Sequence, residues 1–322
     1  PPRHSTTTER NHMENLKKGI ILKGVGGLYS VRLLAPESEK EPVIRCRARG
    51  AFRHNRETPL PGDRVEVLCE GEEQEPVIHR ICPRQNSLIR PPLANLDFLF
   101  VTFASAAPTP ILSTVDKLIA IAEYNRIEPL IVVTKSELNP EMADTLANLY
   151  QNAGFRTFEV SAKVDTGIAP LERFVAEELS HKIAAFAGAS GIGKSTLLNR
   201  LFPGLSLSTF EISRKTERGR HTTRQVELFP LGDTPDCGYI ADTPGFSLLD
   251  FERFDFFDKE ALPETMREFR PYLGECRYTK CSHTKEDGCA VLQAVKEGKI
   301  APSRHASYIE LYETLRHKKK WD

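Results

Sequence analysis

The spacing of apolar and polar positions changes twice along the chain. Up to Ile81 apolar residues come in short runs, Gly19–Leu22, Leu28–Leu34, Val43–Ala51, Arg64–Leu68 and Val77–Ile81. Turn residues separate them at Gly24, Gly26–Gly27, Pro36, Pro42, Gly50 and Pro61–Gly62. Short runs divided this way predict a small closed all-β barrel of the OB-fold type, and an SH3-like barrel would give a similar pattern. Pro83–Asp97 holds three prolines and reads as a linker. From Phe98 strands alternate with helices. The strands are Phe98–Ala104, Pro129–Val133, Arg156–Val160, Ile183–Ala187, Val226–Phe229 and Tyr239–Ala241. The helices are Ser113–Asn125, Glu141–Ala153, Pro170–Ser180 and Ser195–Leu201. That alternation predicts a doubly wound α/β sheet. Beyond Phe256 strand signals stop, and Lys259–Phe269, Ala290–Gly298 and Arg304–Arg316 read as helices.

Over 322 residues this gives an expected order of parts. Residues 1–12 are polar and aperiodic, and read as a leftover of cloning before a native start at Met13. Residues 13–82 form the barrel, 83–255 the α/β domain, and 256–322 a helical tail. Composition changes little: 40% apolar and 27% charged residues are ordinary globular values. No apolar run reaches the roughly 18–20 residues of a membrane span. The candidate at Ile111–Ala122 is broken by Ser113, Thr114, Asp116 and Lys117, so no membrane association is expected. Lys+Arg and Asp+Glu each number 44, so any nucleic-acid surface must be local. No signal peptide is recognisable. Seven cysteines, an odd number with three crowded into Cys276–Cys289, point to a reducing cytoplasm and a metal.

Gly188-Ala189-Ser190-Gly191-Ile192-Gly193-Lys194-Ser195, followed by Thr196, fits G-x-x-x-x-G-K-[ST]. Glycines let successive N–H groups turn inward around phosphate oxygens. Lys194 is expected to reach the β/γ-phosphates and the Ser195 hydroxyl to bind Mg²⁺. The match follows a predicted strand and opens a predicted helix, which is the context the motif needs. Asp242-Thr243-Pro244-Gly245 lies at the end of another strand. There Asp242 could hold a magnesium-bound water, and the Gly245 N–H could sense the γ-phosphate. Between the two, Gly219-Arg220-His221-Thr222-Thr223-Arg224 reads as a switch, with either Thr222 or Thr223 completing the Mg²⁺ shell.

Guanine-reading motifs, Asn-Lys-x-Asp at a strand end, normally follow the phosphate loop. Nothing after Asp242 qualifies. Upstream, the buried strand at Leu130 ends in Thr134-Lys135-Ser136-Glu137, and Ser161-Ala162-Lys163 ends the next strand. The order is thus base, base support, phosphate loop, switches: a circularly permuted P-loop GTPase. Glu137 keeps the acceptor geometry of the usual aspartate one methylene further out. Thr134 cannot offer both ends of an Asn amide, which is expected to weaken guanine preference by about 1–2 kcal/mol. Phe246 follows Gly245 where Ras-like enzymes carry a water-orienting Gln, so slow basal turnover is expected. His221 could orient the water proton instead.

Cys276-x4-Cys281-x-His283-x5-Cys289 supplies three thiolates and one imidazole, a closed set suited to one structural Zn²⁺. Arg45, Arg47 and Arg49 alternate with Ile44, Cys46 and Ala48, so period two places the arginines on one strand face. Arg53, His54 and Arg56 extend that patch, as a surface for RNA. Arg214, Lys215, Arg218, Arg220 and Arg224 add basic charge around the switch. The Arg316–Lys320 tail reads as a solubilising terminus.

Pro61-Gly-Asp-Arg-Val, the permuted order, Gly219-Arg-His-Thr-Thr and the Cys/His knot together resemble the RsgA (YjeQ/YloQ) family. These are circularly permuted GTPases of bacterial small-subunit assembly, and the likeness runs from Met13 to the C-terminus. The resemblance implies GTP/GDP and Mg²⁺ binding, and GTP hydrolysis stimulated by the small ribosomal subunit through 16S rRNA. It implies zinc at the four knot residues and His221 as the favoured catalytic group. A cytoplasmic monomer is expected. The usual Asn-Lys-x-Asp is replaced here. Two other readings stay open: a nucleotide-gated binding module with negligible hydrolysis, and an ATP-using P-loop enzyme.

Overall fold

The structure is a computed structural model that describes residues 15–34, 43–50, 52, 57–69, 74–203, 226–234, 236–242 and 257–317. The chain divides into two compact units. One is built on residues up to Leu96 with 178–185 and 217–244, the other on 97–177, 186–216 and 245–322.

The first unit opens with a closed barrel of β1 (Leu16–Val25), β2 (Leu28–Leu33), β3 (Val43–Ala48), β4 (Arg64–Leu68) and β5 (Val77–Ile81), in the order β1-β2-β3-β5-β4. The β3–β5 pair is parallel and the other pairs are antiparallel. Ile21, Val31, Cys46, Val65, Val67 and Ile78 fill the interior. Gly26 and Gly27 both adopt positive φ (59° and 84°), as a two-residue hairpin turn between right-twisted strands requires.

The expected linker is instead packed. Ser87–Leu88 (β6) and Leu93–Ala94 (β7) form a hairpin, and Leu88, Leu93, Ala94 and Leu96 are buried. Asn95 donates through Nδ2 to the Gly62 carbonyl (2.9 Å) and accepts from the Gln85 N–H (2.8 Å). The prolines at 91 and 92 occupy the turn, while the leucines around them supply the burial that a loose linker lacks.

The sheet consists of β8 (Phe98–Ala104), β9 (Glu128–Thr134), β10 (Thr157–Val160), β11 (Ile183–Ala187), β12 (Glu227–Pro230) and β13 (Tyr239–Asp242). Its order is β10-β9-β8-β11-β13-β12, with β12 antiparallel to β13. β11 is buried along its whole length and β9 beyond its first residue, as their unbroken apolar runs foretell for central parallel strands. Helices α1 (Leu112–Tyr124), α2 (Pro140–Asn152), α3 (Ile168–Glu178) and α4 (Lys194–Leu201) alternate with the strands. The start of α2 is fixed locally: the Asn139 side chain accepts from the Met142 N–H (3.1 Å) and Pro140 takes the first helical position. Phe100 stacks on Phe186 (centroids 4.4 Å apart) and meets Phe174 edge-on.

The C-terminal region departs from expectation at Lys259–Phe269. Two 3₁₀ segments, Leu262–Thr265 and Arg267–Tyr272, stand where one helix was predicted. Pro263 lacks the N–H that a continuous helix needs, and Met266 between the two segments is extended (φ −97°, ψ 101°). Helices α5 (Ala290–Lys296) and α6 (Pro302–His317) follow. Phe269 lies at the centre of an aromatic cluster with Tyr308 (4.9 Å), His305 (6.1 Å) and His283 (6.4 Å). Arg304 of α6 is 1% exposed. It pairs with Asp116 of α1 and with Glu268 (2.7 Å), and Tyr150 of α2 donates its hydroxyl to Asp116 (2.9 Å). Among the described residues no helix is long and apolar enough to cross a membrane.

Candidate functional site: a phosphate loop tied to a base-motif strand

β11 delivers its chain directly into Gly188–Ser195. Gly188 has φ 150°, and a Cβ there would collide with the Thr102 carbonyl, so the strand exit accepts only glycine. Gly191 and Gly193 are also left-handed (φ 81° and 91°), and the space around Gly191 is open. Ala189, Ser190 and Gly191 are exposed while Ile192 is buried, so the loop has a solvent side and an anchored side. Gly193 caps α4, whose N-terminal N–H groups and dipole favour an anion. Lys194 curls back over the loop, its Nζ 3.4 Å from the Gly188 carbonyl. Ser195 is half-buried and Thr196 exposed at the same helix end. This bare, glycine-formed backbone at a helix N-terminus fits a phosphate chain.

The residues expected to read the base meet this loop. In the parallel register Thr134 pairs with Ala104 on one side and Val160 on the other, so Lys135 and Ser161 leave the sheet at the same level. The Thr134 hydroxyl, 4% exposed, donates to the Ile192 carbonyl (2.6 Å) and lies 3.1 Å from the Phe103 carbonyl. Lys135 has φ 54°, and its Nζ donates to the Gly191 (2.6 Å) and Ala107 (2.5 Å) carbonyls. Ser105 donates its hydroxyl to the Lys135 carbonyl (2.8 Å). Ser136 and Glu137 form a 3₁₀ turn, in which Glu137 Oε2 is buried without a hydrogen-bond partner among the described residues. A buried carboxylate oxygen left open is suited to the adjacent N–H donors of guanine. Ser161 is fully buried and exchanges two backbone hydrogen bonds with Thr166, shaping the turn that carries Ala162 and Lys163. Arg200 of α4 braces that turn through Asp165 (2.8 Å) and α3 through Glu172 (2.7 Å). The loop-binding role of Thr134 gave no signal in the sequence, because its partner Ile192 is remote along the chain.

Asp242 ends β13, whose Ala241 pairs with Ala185 of β11. His221, Thr222, Thr223 and Gly245 lie outside the described residues, as do Arg53, His54, Arg56, Phe246 and the basic residues 214–224.

Cys276, Cys281, His283 and Cys289 converge, with their ligand atoms within 4.8 Å of one another. Cys276 Sγ lies 3.8 Å from Cys289 Sγ, and His283 Nδ1 is 3.5 Å from both sulfurs. A tetrahedral zinc with ordinary bond lengths has S···S edges of about 3.8 Å and S···N edges of about 3.5 Å. The set therefore fits a structural zinc. Burial pushes the Cys281 thiol up to about 12, which makes clustered thiolates costly without a cation beside them. Two unforeseen residues of α6 hold the ligand-bearing loop: Tyr308 donates to the Ser282 carbonyl (2.7 Å), and His305 Nε2 lies 2.8 Å from the His283 carbonyl. Glu286 accepts from the Ser282 hydroxyl and from the N–H groups of Ser282 (2.8 Å), Thr284 and Lys285 (both 3.1 Å). Burial alone would raise its carboxyl, but these donors prevail and hold it at about 2.

On the barrel, Arg45 and Arg47 of β3 are exposed and Cys46 between them is buried, as the alternation requires. Arg49 follows the strand and is half-buried, and Arg47 is paired with Glu75 (2.5 Å).

A P-loop at the end of a parallel strand, with its base-motif strands earlier in the chain, defines a circularly permuted GTPase. The comparisons agree. Residues 81–252 match the family described as RsgA GTPase, and residues 18–77 match the RsgA N-terminal domain. The chain belongs to the RsgA GTPase family and is a GTP hydrolase. It is 40% identical over 302 residues to the small ribosomal subunit biogenesis GTPase RsgA of Ruminiclostridium cellulolyticum, covering 94% of each chain. It is 39% identical over 309 residues to the protein of that name from Caldanaerobacter subterraneus, covering 96% of this chain and 98% of the relative. Among solved structures it is similar to YjeQ from Thermotoga maritima, with TM-score 0.77 and 29% identity over 94% of this chain and 100% of that one. It is likewise similar to YloQ, described as a circularly permuted GTPase, with TM-score 0.75 and 31% identity over 99% of each. Membership implies guanine nucleotide and Mg²⁺ as ligands.

Proposed function

We propose that this chain acts in small-ribosomal-subunit biogenesis: it binds the small subunit through 16S rRNA in the GTP state, and subunit-stimulated hydrolysis releases it. The observation that carries the reading is the joining of Thr134 and Lys135 to Gly191 and Ile192, which makes base motif and phosphate loop one site. In this reading the Gly188–Gly193 backbone cradles the phosphates with Lys194 on the β/γ-oxygens. Glu137 takes the guanine N–H groups, and Ser161–Lys163 back them. Ser195, Asp242 and one of Thr222 or Thr223 hold magnesium, which when bound neutralises phosphate charge. The Gly245 N–H senses the γ-phosphate and His221 orients the attacking water. Cys276, Cys281, His283 and Cys289 hold zinc. Arg45, Arg47 and Arg49, with Arg53 and Arg56, face rRNA. Residues 13–82, 83–255 and 256–322 act as the three functional parts of a cytoplasmic monomer.

The test is GTP turnover with and without purified small subunits, beside Lys194→Ala. Expected is slow basal turnover, a large rise on adding subunits, and a loss on the order of 10²-fold or more in the variant. Turnover indifferent to subunits would remove the ribosomal reading, and preference for ATP would remove the base assignment.

A further inference from the structure

The Thr134 side chain brings one proton and two lone pairs to a buried position, and its surroundings decide where the proton goes. Two carbonyl oxygens, of Ile192 and Phe103, lie within 3.1 Å, and both only accept. The hydroxyl hydrogen is therefore committed to a carbonyl, and the shorter contact, 2.6 Å, is to the phosphate loop. An Asn amide at this position would have two N–H donors and an oxygen, enough for the loop and a base together. A threonine hydroxyl held between two carbonyls has no second donor to offer. The next residue repeats the pattern, since the Lys135 Nζ sits on the Gly191 and Ala107 carbonyls. Successive loop carbonyls, 191 and 192, are thus held by successive strand-end side chains. The glycines on either side of Ile192 have no side chain with which to fix themselves.

We infer that Thr134 is a positioning residue for the phosphate loop and takes no part in reading the base, leaving discrimination in the 134–137 turn to Glu137. This rests on the proposed assignment of that turn to guanine. Removing the hydroxyl would free the Ile192 carbonyl from its anchor and cost phosphate-loop order. Every nucleotide with the same phosphates would lose affinity by one common factor, whatever its base.

The experiment measures dissociation constants for GDP, IDP and 7-deaza-GDP with the wild-type chain, Thr134→Val, Thr134→Ala and Thr134→Ser, and for ADP with the wild-type chain, with thermal melts to confirm folding. IDP lacks the exocyclic amine that a carboxylate would bind, and 7-deaza-GDP lacks the N7 acceptor. Valine and alanine are expected to weaken all three by the same factor, about tenfold for one lost buried hydrogen bond. Serine should restore binding, and the ratios among the three nucleotides should match the wild-type ratios throughout. A loss in Thr134→Val or Thr134→Ala confined to GDP and IDP, with 7-deaza-GDP unaffected, would show that position 134 reads the base and overturn the inference. Unchanged binding of all three in a folded variant would also overturn it. Failure of the wild-type chain to prefer GDP over ADP would instead strike the base assignment itself.

Discussion

Arg304 carries a guanidinium fully into the interior, where Asp116, Glu268 and the Tyr150 ring surround it. Burial opposes a charge there, but the two carboxylates outweigh it and hold the group firmly protonated. Removing only the cation leaves Asp116 and Glu268 buried without their partner. Arg304→Met is therefore expected to lose about 3–5 kcal/mol of unfolding free energy in urea titrations. Arg304→Met combined with Asp116→Leu should lose less, because one stranded carboxylate has gone. A double variant less stable than the single would contradict this account. Neither residue could be singled out from sequence: Asp116 sits among the apolar residues of α1, and nothing local says what neutralises it. The Thr134 departure was visible as a residue change, but its carbonyl partners come from other strands and loops.

At the level of elements, Glu286 organises the turn between two of the proposed zinc ligands, because one carboxylate gathers three backbone N–H groups and a hydroxyl. Cys281 and His283 flank the gathered Ser282, so the turn sets their separation. Glu286→Ala should release zinc to a chromogenic chelator more easily, with affinity down about 10–100-fold. Unchanged affinity would show that the four ligands suffice alone. Elements whose cause is local were legible in the sequence. β4, β5 and β11 have the predicted bounds, the Gly188–Gly193 turn joins β11 to α4, and Cys276, Cys281, His283 and Cys289 converge. Elements decided by competition were not. Pro263 and the extended Met266 divided a helix that looked continuous, and the leucines of the 83–97 segment turned a proline-rich linker into a buried hairpin.

Across the whole chain, the Cys/His knot, the proposed zinc site, and α6 have separate anchors. Tyr308 and His305 hold the knot, whereas Arg304 fixes α6 to α1. Zinc removal should therefore loosen 273–289 while α6 stays in place. Hydrogen exchange after metal extraction should show fast amides in the knot and continued protection in α6; concerted loss of both would refute independent anchoring. The strand order carries one more consequence, for a chain made from its N-terminus. β8, β9 and β10 can pair with one another early, but the other neighbour of β8 is β11, which starts about eighty residues after β8 ends. At roughly 5–20 residues per second, β8 emerges some 4–16 s ahead of that partner. For that interval the nascent half-sheet presents an apolar open edge, so permutation makes the order of synthesis a hazard that the unpermuted arrangement, with its phosphate-loop strand first, would meet at a different edge.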